Sequence, residues 1–132
     1  MSKLAIPNPY KSYKENSIKT VGPEELVVLM YKGLEKYIKQ GRMFINEKDY
    51  GKANEALLKA QDIVSELMLS LDMEIDMSDQ LYNLYDFLLV CLREANINKE
   101  DTSLKDVLPI VTGLREAWEG ALVNIRQIKY GK

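Results

Sequence analysis

From Leu26 onward, apolar residues recur every three to four positions along almost the whole chain, and that period limits the available folds more than any other feature. Leu26, Met30, Gly33, Tyr37, Gly41 and Phe44 form one stripe, with Val27, Leu34, Ile38 and Ile45 beside it. Ala53, Ala56, Leu57, Ala60, Ile63, Val64, Leu67 and Leu71 form a second, and Leu81, Leu84, Tyr85, Leu88, Cys91, Leu92 and Ala95 a third. The fourth runs through Leu104, Val107, Leu108, Val111, Leu114, Trp118, Ala121, Leu122, Ile125 and Ile128. No strand pattern competes. Four amphipathic helices joined by short polar connections predict an all-α, antiparallel four-helix bundle, because short loops set successive helices side by side in opposite directions. Asp49 to Ala60 resembles one helix of a tetratricopeptide unit, but nothing repeats it about 34 residues later, which excludes a solenoid.

Local signals place the breaks. Gly22-Pro23-Glu24-Glu25 supplies a tolerated N-cap, a proline suited to the first helical position and two acids for the positive helix end, so a helix is expected from Pro23. Asn46 to Asp49 ends it, the second helix is expected to close near Asp72, and Ser78 is the expected N-cap of the third. Asn96 is expected to close that helix. Ser103-x-x-Asp106 resembles a capping box opening the fourth, and Pro109 is expected to kink it. Residues 1–22 hold Pro7, Pro9, Tyr10 and Tyr13 without a helical period, which predicts an N-terminal arm, extended or short-helical, ahead of a bundle over residues 23–132.

Composition removes most chemistry. The 132 residues contain no histidine, the commonest general base and transition-metal ligand and the phosphoacceptor of histidine phosphotransfer bundles. Without it the Glu-x-x-His ligand set of a di-iron bundle cannot be built, and the carboxylates read as solvated helix faces. The single cysteine, Cys91, lies within an apolar stripe with no candidate base, so it reads as core. The glycines are scattered, with no phosphate loop, nucleophile elbow or dinucleotide fingerprint. We therefore expect no catalytic residue, no cofactor and no metal, and do not read the chain as an enzyme. A net charge of −2 argues against a nucleic-acid partner. No run approaches the roughly 18 apolar residues of a membrane span and the first residues lack a signal-peptide core, so a cytoplasmic protein is expected.

Two features point to binding. Gly33, Gly41, Gly113 and Gly120 interrupt helices at about 1 kcal/mol each relative to alanine, which suits either close helix packing or shallow positions left for a partner helix. Tyr82 and Tyr85 flank the third stripe, and Tyr10 and Tyr13 sit where no core position needs them; tyrosine suits a half-exposed groove as well as a bundle rim. The expected function is to hold another protein's helical segment in apolar grooves. The alternative is a bundle serving self-assembly or a regulatory partner.

Six blocks in register carry a more specific signal. Asn8-Pro9-Tyr10-x-x-Tyr13, Gly22-Pro23-Glu24-Glu25-Leu26, Lys59-Ala60-Gln61-Asp62-Ile63-Val64-x-Glu66-Leu67, Leu81-Tyr82-x-Leu84-Tyr85-Asp86-Phe87-Leu88, Glu94-Ala95-Asn96-Ile97 and Leu114-Arg115-x-Ala117-Trp118 together resemble the flagellar secretion chaperone family FliS. The resemblance implies a cytosolic bundle that binds the disordered C-terminal segment of flagellin, prevents premature polymerisation and presents it to the flagellar type III export apparatus, with components of the export gate as further partners. It implies partner-binding roles for Asn8, Pro9, Tyr10, Tyr13, Ala60, Gln61, Val64, Tyr82, Tyr85, Leu88 and Leu114, with the arm serving as a lid. At Phe87 and Leu88, and at Val90 and Cys91, this chain is more apolar than the family usually is.

Overall fold

The structure, a computed structural model, describes residues 22–130, with the backbone alone at 126 and 128–130. The described residues form four helices: α1 (Pro23–Asn46), α2 (Tyr50–Leu69), α3 (Ser78–Asn98) and α4 (Thr102–Tyr130). Each packs against its sequence neighbours and α4 closes back on α1, which makes the all-α antiparallel bundle that the stripes predict. The arm, and the Ile128 side chain of the fourth stripe, lie outside the described residues.

The first boundary falls where the local signals put it. Gly22 is the N-cap of α1 in an extended conformation, Pro23 is the first helical residue, and Glu24 and Glu25 occupy the first turn. The α1–α2 turn is closed by Lys48 in the left-handed region (φ 61), with Asp49 N–H donating to the Phe44 carbonyl at 2.9 Å. That pattern is a Schellman closure with lysine where glycine is usual. Lys99 (φ 53) closes α3 the same way, and its ammonium donates to the Asn96 carbonyl and to Asn96 Oδ1 at 2.5 and 2.9 Å.

Four expectations need correction. Helix α2 stops at Leu69 rather than near Asp72, because residues 72–78 form successive turns, with Ile75 N–H donating to the Asp72 carbonyl and Ser78 N–H to that of Ile75. Ser78 is the first residue of α3 and not its cap; its hydroxyl donates to the Asp72 carbonyl at 2.6 Å. Ser103 does not form a capping box, since it lies inside α4 and its hydroxyl donates to the Cys91 carbonyl at 3.2 Å. Helix α3 continues two residues beyond Asn96, to Asn98. Pro109 sits inside an α4 that is helical throughout; it and Lys105, whose carbonyl it leaves without an intrahelical donor, are both exposed.

The core is built from all four stripes, with Tyr31, Leu34, Ile38, Leu57, Ile63, Leu67, Tyr85, Leu88, Leu92, Leu104 and Val107 almost fully enclosed. Helices α1 and α2 pack most closely. The reason is small residues: Ala53, Ala56 and Ala60 are buried on α2, and at Gly41 on α1 an added Cβ would lie 2.5 Å from Leu57 Cδ2 and 2.9 Å from its Cγ. At the same end of this pair, Arg42 Nε and Asn46 Nδ2 reach Asp101 at 3.5 and 3.3 Å, which ties α1 to the α3–α4 loop.

Candidate partner-binding surface

The two flanks of α4 differ in chemistry. On the α1 side, the carboxylate of buried Glu35 accepts from Thr112 Oγ1 at 2.7 Å and Arg115 Nε at 2.6 Å, and Arg115 Nη1 also donates to Glu119 at 2.6 Å. Lys32 of α1 lies 3.6 Å from the same Glu119. Glu35 holds the Arg115 guanidinium charged, so the latch is ionic as well as hydrogen-bonded. A buried carboxylate with two donors is satisfied; without them it would be costly.

Among the described residues the α3 side has no such latch, and α3 and α4 pack least closely of the four adjacent pairs. Their register is set where Cys91 meets the start of α4. Its carbonyl takes the Ser103 hydroxyl, and burial, with Glu94 and Asp106 adding, pushes its thiol up, so the sulfur is held as an unreactive neutral group. One and two turns back along α3 from Cys91 lie Phe87 and Leu84; one to three turns along α4 from Asp106 lie Ile110, Gly113 with Leu114, and Ala117. Phe87 and Ala117 are exposed, and Leu84, Ile110 and Leu114 are half-buried. Gly113 and Gly120 have nothing within 4 Å of an added Cβ. The glycines thus divide: Gly41 serves close packing, whereas Gly113 and Gly120 leave an open, shallow face on α4.

The residues expected to bind a partner fall into three groups. Ala60, Val64, Tyr85 and Leu88 lie inside the core, where they set the spacing of α2 and α3. Gln61 and Leu114 are half-buried and Tyr82 is exposed. Asn8, Pro9, Tyr10 and Tyr13 lie outside the described residues. Tyr85 is 2% exposed and its hydroxyl meets that of Tyr31 at 2.5 Å, a polar pair sealed between α1 and α3. Trp118, expected in the core, is instead half-buried against it.

Sequence reasoning passed over Phe87, Val90 and Ile97 on the outer side of α3, and Leu69, Met73, Ile75 and Met77 around the α2–α3 connection, all exposed. A signal was present: Phe87 and Val90 are among the positions where the chain is more apolar than its resemblance implies, and the connection alternates apolar and acidic residues. Among the described residues no group of His, Cys, Asp or Glu is placed to hold a metal, and no helix is long and apolar enough to cross a membrane.

Comparison with known proteins agrees with this geometry. Residues 6–124 match the family model described as flagellar protein FliS. The flagellar secretion chaperone FliS of Bacillus subtilis is 36% identical over 128 residues, covering 97% of this chain and 96% of that protein. The Salmonella typhimurium protein of the same name is 26% identical over 108 residues, 80% of each chain. A crystal structure titled as a flagellar chaperone from bacteria superposes with a TM-score of 0.74 at 24% identity, over 87% of this chain and 95% of that one, a likeness of fold.

Proposed function

The chain belongs to the FliS family of flagellar secretion chaperones, chaperones and not enzymes, and from that premise we propose that it works in the cytoplasm by holding the C-terminal segment of flagellin along the seam between α3 and α4. The observation that carries this reading is the seam itself. Phe87 and Leu84 on one wall and Ile110, Leu114 and Ala117 on the other present apolar surface that no helix of the bundle covers, and Gly113 and Gly120 let a foreign backbone approach closely. Such a shallow, elongated groove suits the apolar face of an amphipathic helix, read at three- and four-residue intervals.

A segment that is disordered when free binds at an entropic cost, so its affinity must come from apolar area. Burial of the segment in the seam keeps it from self-association, and an extended interface can be dismantled stepwise at the type III export apparatus, where export gate components would meet the loaded chaperone. The arm, residues 1–22, would cover part of the groove in the free protein and lower its binding-competent population.

A filament-assembly assay tests the proposal. Stoichiometric addition of the chaperone should hold flagellin monomeric. Gly113→Leu, which fills the open face, and Phe87→Asp, which charges the opposite wall, should each raise the chaperone concentration needed by about tenfold or more, corresponding to about 1.4 kcal/mol of lost affinity, with helicity unchanged. Full suppression by both folded variants would remove the seam from the account.

A further inference from the structure

Connections between helices are usually polar, with glycine or proline at their bends. The α2–α3 connection, Ser70-Leu71-Asp72-Met73-Glu74-Ile75-Asp76-Met77, has neither, and it alternates apolar with acidic residues up to Asp79 in the first turn of α3. Leu71 is partly buried against the core and Ser78 is buried, so both ends of the connection are pinned. Between them Asp72 accepts at its backbone carbonyl from Ile75 N–H (3.0 Å) and Ser78 Oγ (2.6 Å), and at its carboxylate from Glu74 N–H (3.0 Å). The Ile75 carbonyl in turn accepts from Ser78 N–H (3.0 Å). The connection is thus a folded element in its own right.

Its large side chains face out: Leu69 is 76% exposed, Met73 52%, Ile75 59% and Met77 63%. Exposed apolar residues scattered singly need no explanation, whereas several crowded onto one folded element mark a contact surface. Among the described side chains no lysine or arginine pairs with Glu74, Asp76 or Asp79. Those carboxylates decide the kind of partner. A second copy set symmetrically on the element would bring like charges together, and an anionic lipid surface would be repelled, whereas a basic partner is attracted. The backbone decides its form. With its hydrogen bonds closed internally the connection offers no strand edge to an extended chain, so recognition rests on side chains, which an amphipathic helix presents as a stripe. Met73 and Met77, unbranched and polarizable, adapt readily to such a stripe.

We infer that the α2–α3 connection is a second docking surface, which takes a basic amphipathic helix of another protein. The apolar stripe of that helix lies over Met73, Ile75 and Met77, and its lysines or arginines meet Glu74, Asp76 and Asp79. The surface shares no side chain with the seam, whose Phe87 lies roughly 13 Å further along α3 than Ser78 at 1.5 Å per residue. The inference goes beyond the chaperone reading and does not rest on it. With a client in the seam, the second surface makes the bundle an adaptor that engages two proteins through different chemistry, one face apolar and the other apolar and acidic.

The probe is a designed, fluorescein-labelled helix with a leucine stripe flanked by lysines, titrated with the full-length chain and read by anisotropy. One-to-one binding is expected at about 0.05 M salt, weakened on the order of fivefold at about 0.5 M. Met73→Ser/Ile75→Ser/Met77→Ser and Glu74→Gln/Asp76→Asn, all at exposed positions, should each weaken it about tenfold with helicity unchanged. Glu74→Lys/Asp76→Lys should instead bind the same helix carrying glutamates in place of lysines. Glu47→Lys/Glu100→Lys makes an equal change of net charge at exposed positions on the opposite end of the bundle, and should leave the lysine helix bound within about twofold. A tenfold loss there, or an affinity that ignores the connection variants, reduces the binding to bulk charge and overturns the inference. Loss of the probe on Gly113→Leu puts the helix in the seam and overturns it too, as does self-association of the free chain that the three serines abolish, which puts a second copy on the surface. Suppression of flagellin assembly is measured separately: its absence sinks the chaperone reading alone, and loss of the second surface leaves that reading standing.

Discussion

Tyr85 carries the clearest lesson about single residues. By sequence it sits beside Tyr82 as a groove aromatic, yet only Tyr82 faces out, while Tyr85 is sealed against Tyr31 with its hydroxyl paired. Burial pushes both phenols up from their ordinary value of 10.0. Both therefore stay protonated in the folded protein while the unfolded chain ionises, so their contribution to stability is complete below about pH 10 and is lost as pH rises beyond it. Urea unfolding across pH 9–11 should show this alkaline decline, and the Tyr31→Phe/Tyr85→Phe protein should show less of it. Tyr85→Phe alone should cost about 1 kcal/mol at neutral pH, because it leaves a buried hydroxyl one partner short. The glycines separate as sharply. Gly41→Ala forces Leu57 aside and should cost about 1–3 kcal/mol, whereas Gly113→Ala, with open space around it, should raise stability by about 0.5–1 kcal/mol as helix propensity dictates. Urea midpoints of the pair measure the difference.

Helix boundaries were legible where the signal is local and failed where a side chain has business elsewhere. Gly22-Pro23-Glu24-Glu25 fixes the start of α1 because cap, proline and dipole act within one turn. Ser78 and Ser103 have the right chemistry for caps, but their hydroxyls are taken by the carbonyls of Asp72 and Cys91, six and twelve residues away. The stripes gave four helices and most of the core, since burial of a helix face is written in its period. They did not give the seam, which depends on which neighbour α4 is latched to, and that is decided by Glu35, Thr112 and Arg115 across 77 and 80 residues of chain. Trp118 was misplaced for the same reason. At the α1–α2 turn, Lys48 holds a left-handed conformation that glycine adopts without strain. Lys48→Gly should therefore raise stability by up to about 1 kcal/mol, read as a higher thermal midpoint with the bundle otherwise unchanged.

As a whole molecule, the protein is a bundle with one latched flank and one open flank on its last helix, and it belongs to a family of flagellar secretion chaperones. The means proposed for it are mechanical: apolar surface on the seam to hold a helix. Calorimetric titration of the full-length chain with a peptide of flagellin's C-terminal segment, with the N-terminal segment as the control, tests this most directly. The account predicts one-to-one binding of the C-terminal segment with a clearly negative heat-capacity change. It also predicts a gain of helicity by the peptide and an affinity that moves less than about tenfold between about 0.05 and 0.5 M salt. Equal affinity for both segments would make the seam a generic apolar surface, and no binding of the C-terminal segment would contradict the account outright.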